Sequence, residues 1–291
     1  MVKIAPILSR ASAFLELTKP RIVLLVLVTV AAGFYLGVIG QVSGVLLFHT
    51  LVGTALVAGG TNALNQVGES RFDGLMHRTR RRPIPSGRLS RLSAGAFAWT
   101  AGVSGVVYLA AFVNSLATVL AAATLLSYVF LYTPLKRVTS LSTLLGAVPG
   151  ALPILGGWAA ARGSVTVEAW ILFAILLLWQ LPHFLALAWI YREDYARAGF
   201  KVLSIEPGGA EATFRQATLY AAALLWVALA PTFVGMAGLA YFLGGFVLSA
   251  WLLWVAFAAA RAPTTERARR LFKASVLHLP AVLILLMWDK I

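Results

Sequence analysis

The chain has 291 residues, of which 60% are hydrophobic and only 12% are charged. In soluble domains about a quarter of the residues are charged, so this composition excludes an ordinary soluble protein and indicates an integral membrane protein. Cysteine is absent, which excludes disulfides, thiolate metal sites and cysteine nucleophiles. A net charge of +14 would indicate nucleic-acid binding in a soluble chain. Here the basic bias of cytoplasmic membrane loops accounts for it, and we predict no nucleic-acid partner.

Apolar runs that are long enough to cross a bilayer, about 20 residues each, recur along the whole chain. Nine such runs lie near 22–40, 44–64, 94–113, 116–133, 141–160, 168–190, 216–235, 238–260 and 274–289. We therefore predict an all-α polytopic membrane protein with about nine transmembrane helices, forming a single domain over 1–291.

The basic residues predict the orientation of these spans. If the N-terminus is cytoplasmic, the inner segments hold 22 of the 24 Lys and Arg residues, and only Arg162 and Lys290 lie outside them. The positive-inside rule therefore places the N-terminus in the cytoplasm. On the same side we expect two active-site loops, at 65–92 and 191–215, and a further basic loop at 261–273.

The acidic residues suggest an internal repeat. Glu69 and Asp73 follow the second span, and Glu193 and Asp194 follow the sixth span. An offset of four spans predicts two parallel four-helix halves, which the ninth span closes into one bundle.

The stretch "NQVGESRFD" places Asn65, Glu69 and Asp73 at positions i, i+4 and i+8. On a helix these positions project from one face, so the three side chains are expected to line one cavity wall. An amide and two carboxylates suit Mg²⁺, which prefers oxygen ligands and retains substrate phosphates. Alternatively, the two acids only neutralise neighbouring arginines on a solvated surface.

Arginine is concentrated immediately after these acids. Seven arginines lie within 65–92, more than two carboxylates could neutralise. Guanidinium groups match the oxygens of phosphates and carboxylates, so a polyanionic ligand is one interpretation. A topology signal or a patch for anionic lipids is the other. Pro83, Pro85 and Gly87 predict a shaped loop here rather than a basic helix.

A second polar cluster lies in "WQLPHFLALAWIYRED", residues 179–194. Gln180 and His183 interrupt an apolar span two to three turns before Arg192 and the two acids that follow it. Polar residues inside a membrane span are costly and usually face the bundle interior, so both are candidate site residues. A hydrogen-bonded packing role is the alternative for His183.

The fourth predicted span ends in "SYVFLYTPLKR", residues 127–137. Tyr128, Tyr132, Lys136 and Arg137 fall at the same predicted inner face. Tyr132 and Lys136 share one helix face, although Pro134 makes a continuous helix doubtful. Membrane-interface anchoring is the alternative, and it is the preferred reading of Arg137.

Three segments together carry a family resemblance: "NQVGESRFDGLMHRTRRRPIPSGR", "YTPLKR" and "WQLPHFLALAWIYREDYARAG". They resemble the signature segments of the heme-farnesylating branch of the UbiA superfamily of intramembrane prenyltransferases. The superfamily motif N-x-x-x-D-x-x-x-D is matched by Asn65, Glu69 and Asp73, with glutamate at the middle position. The second acidic motif is matched only in part, by Glu193 and Asp194, while the segment around His183 favours the heme branch.

The resemblance implies a reaction and a role for each residue. The farnesyl group of farnesyl diphosphate is joined to a vinyl group of heme B, which gains a hydroxyl group and becomes heme O, and diphosphate is released. The implied Mg²⁺ ligands are Asn65, Glu69, Asp73, Glu193 and Asp194; the implied phosphate contacts are Arg78, Lys136 and Arg192. The implied contacts of the heme propionates are Arg80, Arg81 and Arg82, and the implied residues that stabilise the farnesyl cation are Tyr128 and Tyr132. His183 is implied either to contact the heme iron as an axial ligand or to position the vinyl group.

Other functions stay open at this point. A related enzyme acting on an aromatic quinone precursor or on chlorophyllide fits the same acidic motif. A secondary transporter also fits parallel repeats with polar residues inside the membrane. For the heme branch we expect a bacterial or archaeal cell membrane, with a heme A synthase or a terminal oxidase assembly receiving the product.

Overall fold

The computed structural model describes residues 4–291, and side chains from residue 10 onward; Lys3, which enters the predicted charge asymmetry, lies outside this range. The helices are α1 (Ile4–Thr18), α2 (Pro20–Gly37), α3 (Gly44–Asp73), α4 (Arg91–Phe112), α5 (Ser115–Leu126), α6 (Thr133–Leu135), α7 (Ser142–Arg162), α8 (Val167–Ile190), α9 (Arg192–Arg197), α10 (Gly209–Phe233), α11 (Leu239–Arg261) and α12 (Thr265–Trp288). A π-helical turn, Ser127–Tyr132, joins α5 to α6, so that Ser115–Leu135 forms one span. Within the described range, nine segments are long and apolar enough to cross a membrane, which confirms the predicted number.

The packing order agrees with two four-span halves and a closing helix. The first spans of the halves, α2 and α7, pack on each other, and the pairs α3–α4 and α8–α10 pack in corresponding positions. Helix α12 lies against α8 and α11. Gly33 and Gly157 allow α2 and α7 to approach closely, because a Cβ at either position would collide with a backbone carbonyl of the other helix.

Three helices, α3, α10 and α12, extend well beyond the apolar runs that predict them. Helix α10 begins at Gly209, inside the predicted 191–215 loop. Helix α3 continues to Asp73, so only residues 74–90 of the predicted 65–92 loop are non-helical. Helix α12 begins at Thr265, and the prediction of a basic loop over 261–273 is therefore wrong for most of that segment. Ala268 and Leu271 are fully buried there, whereas the basic side chains occupy the exposed face. Hydropathy detects the apolar centre of a span and misses such amphipathic ends.

The polar ends of the spans meet at one end of the bundle. Helices α3 and α8 end there, and α4, α7, α10 and α12 begin there. The connector 74–90 packs against the segment that follows α9, through Met76, Ala198 and Phe200. The two segments predicted to be active-site loops are therefore in direct contact.

Candidate active site

Three polar side chains share one face at the end of α3. Asn65, Glu69 and Asp73 are 2%, 6% and 0% exposed, and all three line the same cavity. Successive members of the set are four residues apart, slightly more than one helical turn, so the side chains follow one another along the axis. The cavity therefore has a wall of one amide and two carboxylates.

A basic side chain contacts each of these three groups. Lys136 Nζ lies 2.6 Å from Glu69 Oε1, and Arg82 donates through Nη1 to both oxygens of Asp73 at 2.8 Å. Lys19 Nζ donates to Asn65 Oδ1 at 3.3 Å. Unpaired charges in such a buried position are strongly unfavourable, so these contacts allow the acids to remain ionised inside the bundle.

The cavity has a volume of about 180 Å³ and is part basic and part aromatic. Tyr128 and Tyr132 come from the π-helical turn and pack edge to face, with ring centroids 4.9 Å apart. Lys136 Nζ lies 4.2 Å from the Tyr132 ring centroid, as in a cation–π contact. Positive charge can thus be placed next to electron-rich ring faces within this cavity.

Two basic residues of the cavity, Arg78 and Lys19, have no carboxylate partner among the described residues, and Lys19 is bound to the Asn65 amide instead. Arg78 is held by aromatic rings. Its guanidinium lies over the ring of Tyr191 at 4.8 Å and near that of Tyr195 at 5.9 Å. Stacking on tyrosine fixes the plane of the guanidinium and leaves its N–H donors free. An anion that enters the cavity would therefore meet a positioned guanidinium.

Asp194 fixes the backbone that carries Arg78. The carboxylate accepts hydrogen bonds from the backbone N–H groups of His77 and Arg78, at 3.0 and 3.2 Å, and from Arg197 at 2.7 Å. Burial alone would raise the pKa of Asp194, but these hydrogen bonds and the Arg197 charge outweigh it and lower the pKa. Asp194 thus joins α9 to the connector 74–90.

The two lysines of the cavity have opposite electrostatic environments. Burial lowers the pKa of Lys19 to about 7, and the positive charge of Arg82 adds to the shift. Burial would also lower the pKa of Lys136, but Tyr132 and the Glu69 carboxylate outweigh it and raise the pKa. Lys136 is therefore a permanent cation beside Glu69.

Gln180 and His183 lie outside the cavity lining. Gln180 is buried against α7, where its amide Nε2 donates to the Ala147 carbonyl at 3.3 Å. The same group also donates to the Leu176 carbonyl of its own helix, α8, at 3.1 Å. His183 faces α12, with Nδ1 2.9 Å from Ser275 Oγ. Its ring stacks on Trp179. Both side chains have structural partners in this arrangement.

The remaining predicted residues do not line the cavity. Arg80 and Arg81 are exposed on the connector. Arg192 contacts Trp189 and Thr265 rather than the cavity, and the side chain of Glu193 is 80% exposed. Of the two acids after α8, one is thus bound to the connector and the other faces outward.

The donor set of the α3 wall suits a magnesium ion. No cluster of three or more His, Asp or Glu side chains close enough to hold a metal occurs in the described part of the chain. Mg²⁺ does not need one, because it is commonly held by one or two carboxylates together with substrate phosphates. Glu69 and Asp73, with the Asn65 amide beside them, supply hard oxygen ligands of this kind.

Several cavity residues were absent from the prediction. Lys19, Phe184, Tyr195 and Phe200 all line the cavity. The signal for Lys19 was its place directly before Pro20, which begins the first span at the basic end of the bundle. The aromatic residues carried no distinguishing signal among the many aromatic side chains of the sequence.

The fold has counterparts among solved structures. A structure reported with work on digeranylgeranylglyceryl phosphate synthase in membranes matches with a TM-score of 0.81 at 17% identity, over 96% of this chain and 98% of that chain. A UbiA homolog from Archaeoglobus fulgidus, bound to GPP and Mg²⁺, matches with a TM-score of 0.66 at 15% identity, over 94% and 99%. At these identities the likeness defines the architecture, a UbiA-type helical bundle.

Sequence relatives define the family. The model of the UbiA prenyltransferase family matches residues 26–279. A protein named protoheme IX farnesyltransferase, from Solibacter usitatus, is 45% identical over 287 residues, which cover 95% of this chain and 98% of that protein. The chain belongs to the UbiA prenyltransferase family and is a prenyltransferase of the membrane. The family resemblance drawn from the three sequence segments is thereby confirmed.

Proposed function

We propose that this protein transfers the farnesyl group of farnesyl diphosphate to a vinyl group of heme B, producing heme O and diphosphate. The observation that carries the proposal is the cavity in which the α3 carboxylates, the stacked guanidinium of Arg78 and the paired tyrosines converge. The heme acceptor rests on the name of the relative that is 45% identical over nearly the whole length of both chains.

The diphosphate is assigned to the polar end of the cavity. Arg78 provides guanidinium donors that no carboxylate of the described residues engages, and Lys136 and Arg82 line the same cavity. Negative charge develops on the diphosphate as the bond between carbon and oxygen breaks. Positively charged donors already fixed in place stabilise that charge without reorganisation.

Mg²⁺ is proposed to bind at the α3 wall, with Glu69 and Asp73 as ligands and Asn65 beside them. When bound, the ion would neutralise charge on the diphosphate oxygens. Glu193 and Asp194 remain predicted ligands, but the outward position of the first and the backbone contacts of the second favour α3 as the metal-binding element. Asp194 is better suited to holding the connector.

The allylic end of the substrate is assigned to the aromatic side of the cavity. Tyr128 and Tyr132 present ring faces that stabilise positive charge on the farnesyl carbon. Deeper in the membrane, α2, α3, α4, α5 and α7 line a second, apolar cavity, with Val57, Leu109 and Leu120 in its lining. Along α3, α5 and α7 this cavity continues the line of the first one, which suits an isoprenoid chain.

The proposed reaction has three steps: ionisation of farnesyl diphosphate, formation of a carbon–carbon bond and addition of water. The bond between the allylic carbon and the diphosphate oxygen breaks, and the electron pair leaves with diphosphate. The terminal vinyl carbon of heme B bonds to the farnesyl carbon, which leaves a positive charge on the vinyl carbon next to the ring. A water molecule adds there and loses a proton, giving the hydroxyl group.

Heme B is assigned to the open side of the cavity. Its propionates require cations, and Arg80 and Arg81, which are exposed on the connector, are assigned to them. Arg82, predicted for the same role, is instead paired with Asp73. His183 remains the predicted axial or vinyl-positioning residue, although its contact with Ser275 and its stacking on Trp179 support a packing role between α8 and α12. We further propose that this end of the bundle faces the cytoplasm of a bacterial or archaeal cell, and that a heme A synthase or terminal oxidase assembly takes up the product.

An acceptor assay tests the proposal. The purified protein is incubated with farnesyl diphosphate, Mg²⁺ and either heme B, an aromatic quinone precursor or chlorophyllide, and products are identified by mass. We expect a heme that has gained farnesyl and hydroxyl groups, and no product after EDTA. Prenylation of another acceptor alone would contradict the heme assignment.

A further inference from the structure

The surface of the bundle carries a groove between α11 and α12, away from the cavity described above. It has a volume of about 410 Å³. One end is basic, with Arg267, Arg270 and Lys273, and the rest is apolar, with Trp251, Trp254 and Leu277. The groove thus joins a cationic rim to an aromatic and aliphatic wall.

The order of these residues along the helices gives the groove a polarity. On α12, Arg267 and Leu277 are ten residues apart, which corresponds to about 15 Å along the axis. Arg270 and Lys273 lie between them, three and six residues after Arg267, so that Lys273 is about one turn from Leu277. Helix α11 runs in the opposite direction, so that Trp251 lies far from the basic end. A molecule bound along the groove would have its charge at one end and its apolar part at the other.

The basic end has an excess of positive charge. Arg270 pairs with Glu266 at 2.5 Å, but both side chains are more than 70% exposed, so this pair is weak. Arg267 donates to the carbonyl of Ala258 near the end of α11, which keeps its guanidinium at the groove. Lys273 is exposed and has no ion-pair partner among the described residues. One carboxylate therefore faces three cations.

The apolar wall faces outward from the bundle. Trp254 is 66% exposed and Leu277 is 64% exposed, in spans that meet the length and composition of membrane helices. The basic end lies at the same end of the bundle as the polar cavity, where the spans leave the membrane. Tryptophan and basic side chains arranged in this way match the interface between acyl chains and headgroups.

We propose that the groove binds an anionic glycerophospholipid from the leaflet that borders the candidate active site. The phosphate contacts Arg267, Arg270 and Lys273, and an acyl chain lies along Trp251, Trp254 and Leu277. Basic pockets between membrane helices bind anionic headgroups in this manner. The charge pattern selects an anionic lipid over a zwitterionic one.

Quenching of tryptophan fluorescence by brominated lipids tests the proposal. The full-length protein is placed in bilayers of phosphatidylcholine, and phosphatidylglycerol with brominated acyl chains is added in small increments. We expect saturable quenching, which the same amount of brominated phosphatidylcholine does not produce. The double variant Arg270→Gln/Lys273→Gln should need about 30-fold more anionic lipid for half-saturation, since each basic side chain near the surface contributes roughly fivefold.

Two control variants make the result specific to the groove. Arg91→Gln/Arg215→Gln removes two exposed cations at the same end of the bundle and should leave half-saturation unchanged. Trp251→Phe/Trp254→Phe should remove the saturable component of quenching. Equal quenching by both lipids, or equal loss in both charge variants, would overturn the proposal. So would a doubling of molecular mass with Trp254 shielded from all lipids, because the occupant would then be a second copy of the chain.

Discussion

The sharpest test of the site concerns Asp194, because its two assigned roles predict different results. As a metal ligand it would set the affinity for Mg²⁺. In the structure its carboxylate instead accepts hydrogen bonds from the backbone N–H groups of His77 and Arg78 and forms an ion pair with Arg197. We predict that Asp194→Asn releases the connector 74–90. Because the connector carries Arg78, which is the proposed contact to the diphosphate, the substitution should weaken binding of farnesyl diphosphate.

The magnitude follows from the two backbone contacts. A hydrogen bond to a charged acceptor contributes about 1.5 to 3 kcal/mol, whereas one to a neutral acceptor contributes about 1 kcal/mol. Asparagine keeps one acceptor oxygen and turns an NH₂ group toward the other backbone N–H. We expect a total loss of about 2 to 4 kcal/mol at the contact between connector and α9, with an increase in the KM for farnesyl diphosphate of at least about tenfold.

Steady-state kinetics at varied farnesyl diphosphate and varied Mg²⁺ separate the two roles. Loss of the backbone contact predicts an increased KM for farnesyl diphosphate and an unchanged Mg²⁺ concentration for half-maximal rate. Glu193→Gln is the matched control, since the side chain is 80% exposed, and it should stay within about twofold of the original rates. An unchanged KM in Asp194→Asn, together with a tenfold higher Mg²⁺ requirement, would refute the positioning role and restore the ligand assignment.

Four further outcomes are expected. Glu69→Ala and Asp73→Ala should each abolish prenyl transfer while the protein stays folded and membrane-inserted by size-exclusion chromatography; near-normal turnover would assign these acids to charge neutralisation alone. Lys136→Met should lower stability by about 3 to 5 kcal/mol because it leaves the Glu69 carboxylate buried and unpaired. Adding Glu69→Gln should restore the thermal midpoint but not activity. His183→Ala should keep the heme absorption spectrum if the residue packs against α12, and loss of an axial-ligand band would instead establish contact with the iron. Because the pKa of Asp194 is lowered, its stabilising contribution is complete above about pH 3.9 and is lost as the pH falls through the pKa of the folded state. The rate at which pepsin cleaves the connector 74–90 should therefore increase only at the lowest pH values of a series. In Asp194→Asn this dependence of the cleavage rate on pH should be lost.

The sequence predicts the parts of the site that depend on local periodicity. Asn65, Glu69 and Asp73 share a wall because four-residue spacing keeps side chains on one face of a helix, whatever packs around it. The number of spans follows in the same way from apolar runs of sufficient length. Both predictions rest on one helix at a time.

The sequence does not predict contacts between distant segments. The carboxylate of Asp194 is directed at backbone N–H groups more than 100 residues away, and no spacing rule distinguishes this from a metal ligand. Lys19 reaches Asn65 only because α1 and α2 turn beside α3. His183 finds its partner Ser275 on α12, which lies almost 100 residues away. Such pairings depend on the packing of the bundle.

The N-terminal end of α12 was also not predicted from the sequence. A basic, weakly apolar stretch was predicted as a loop, but it is helical because a small buried stripe packs against α11. The Thr264 side chain also accepts a hydrogen bond from the backbone N–H of Arg267 and thereby caps the helix. The amphipathic pattern was present in the sequence, but the high charge concealed it.

In the proposed reaction the cavity ionises farnesyl diphosphate and directs the farnesyl cation to heme B. The most direct measurement is mass analysis of both products after turnover in water enriched in heavy oxygen. We predict a farnesylated, hydroxylated heme that carries one heavy oxygen, and a released diphosphate that carries none, because the bond between carbon and oxygen is the one that breaks. Heavy oxygen in the diphosphate, or the absence of any farnesylated heme, would contradict the account.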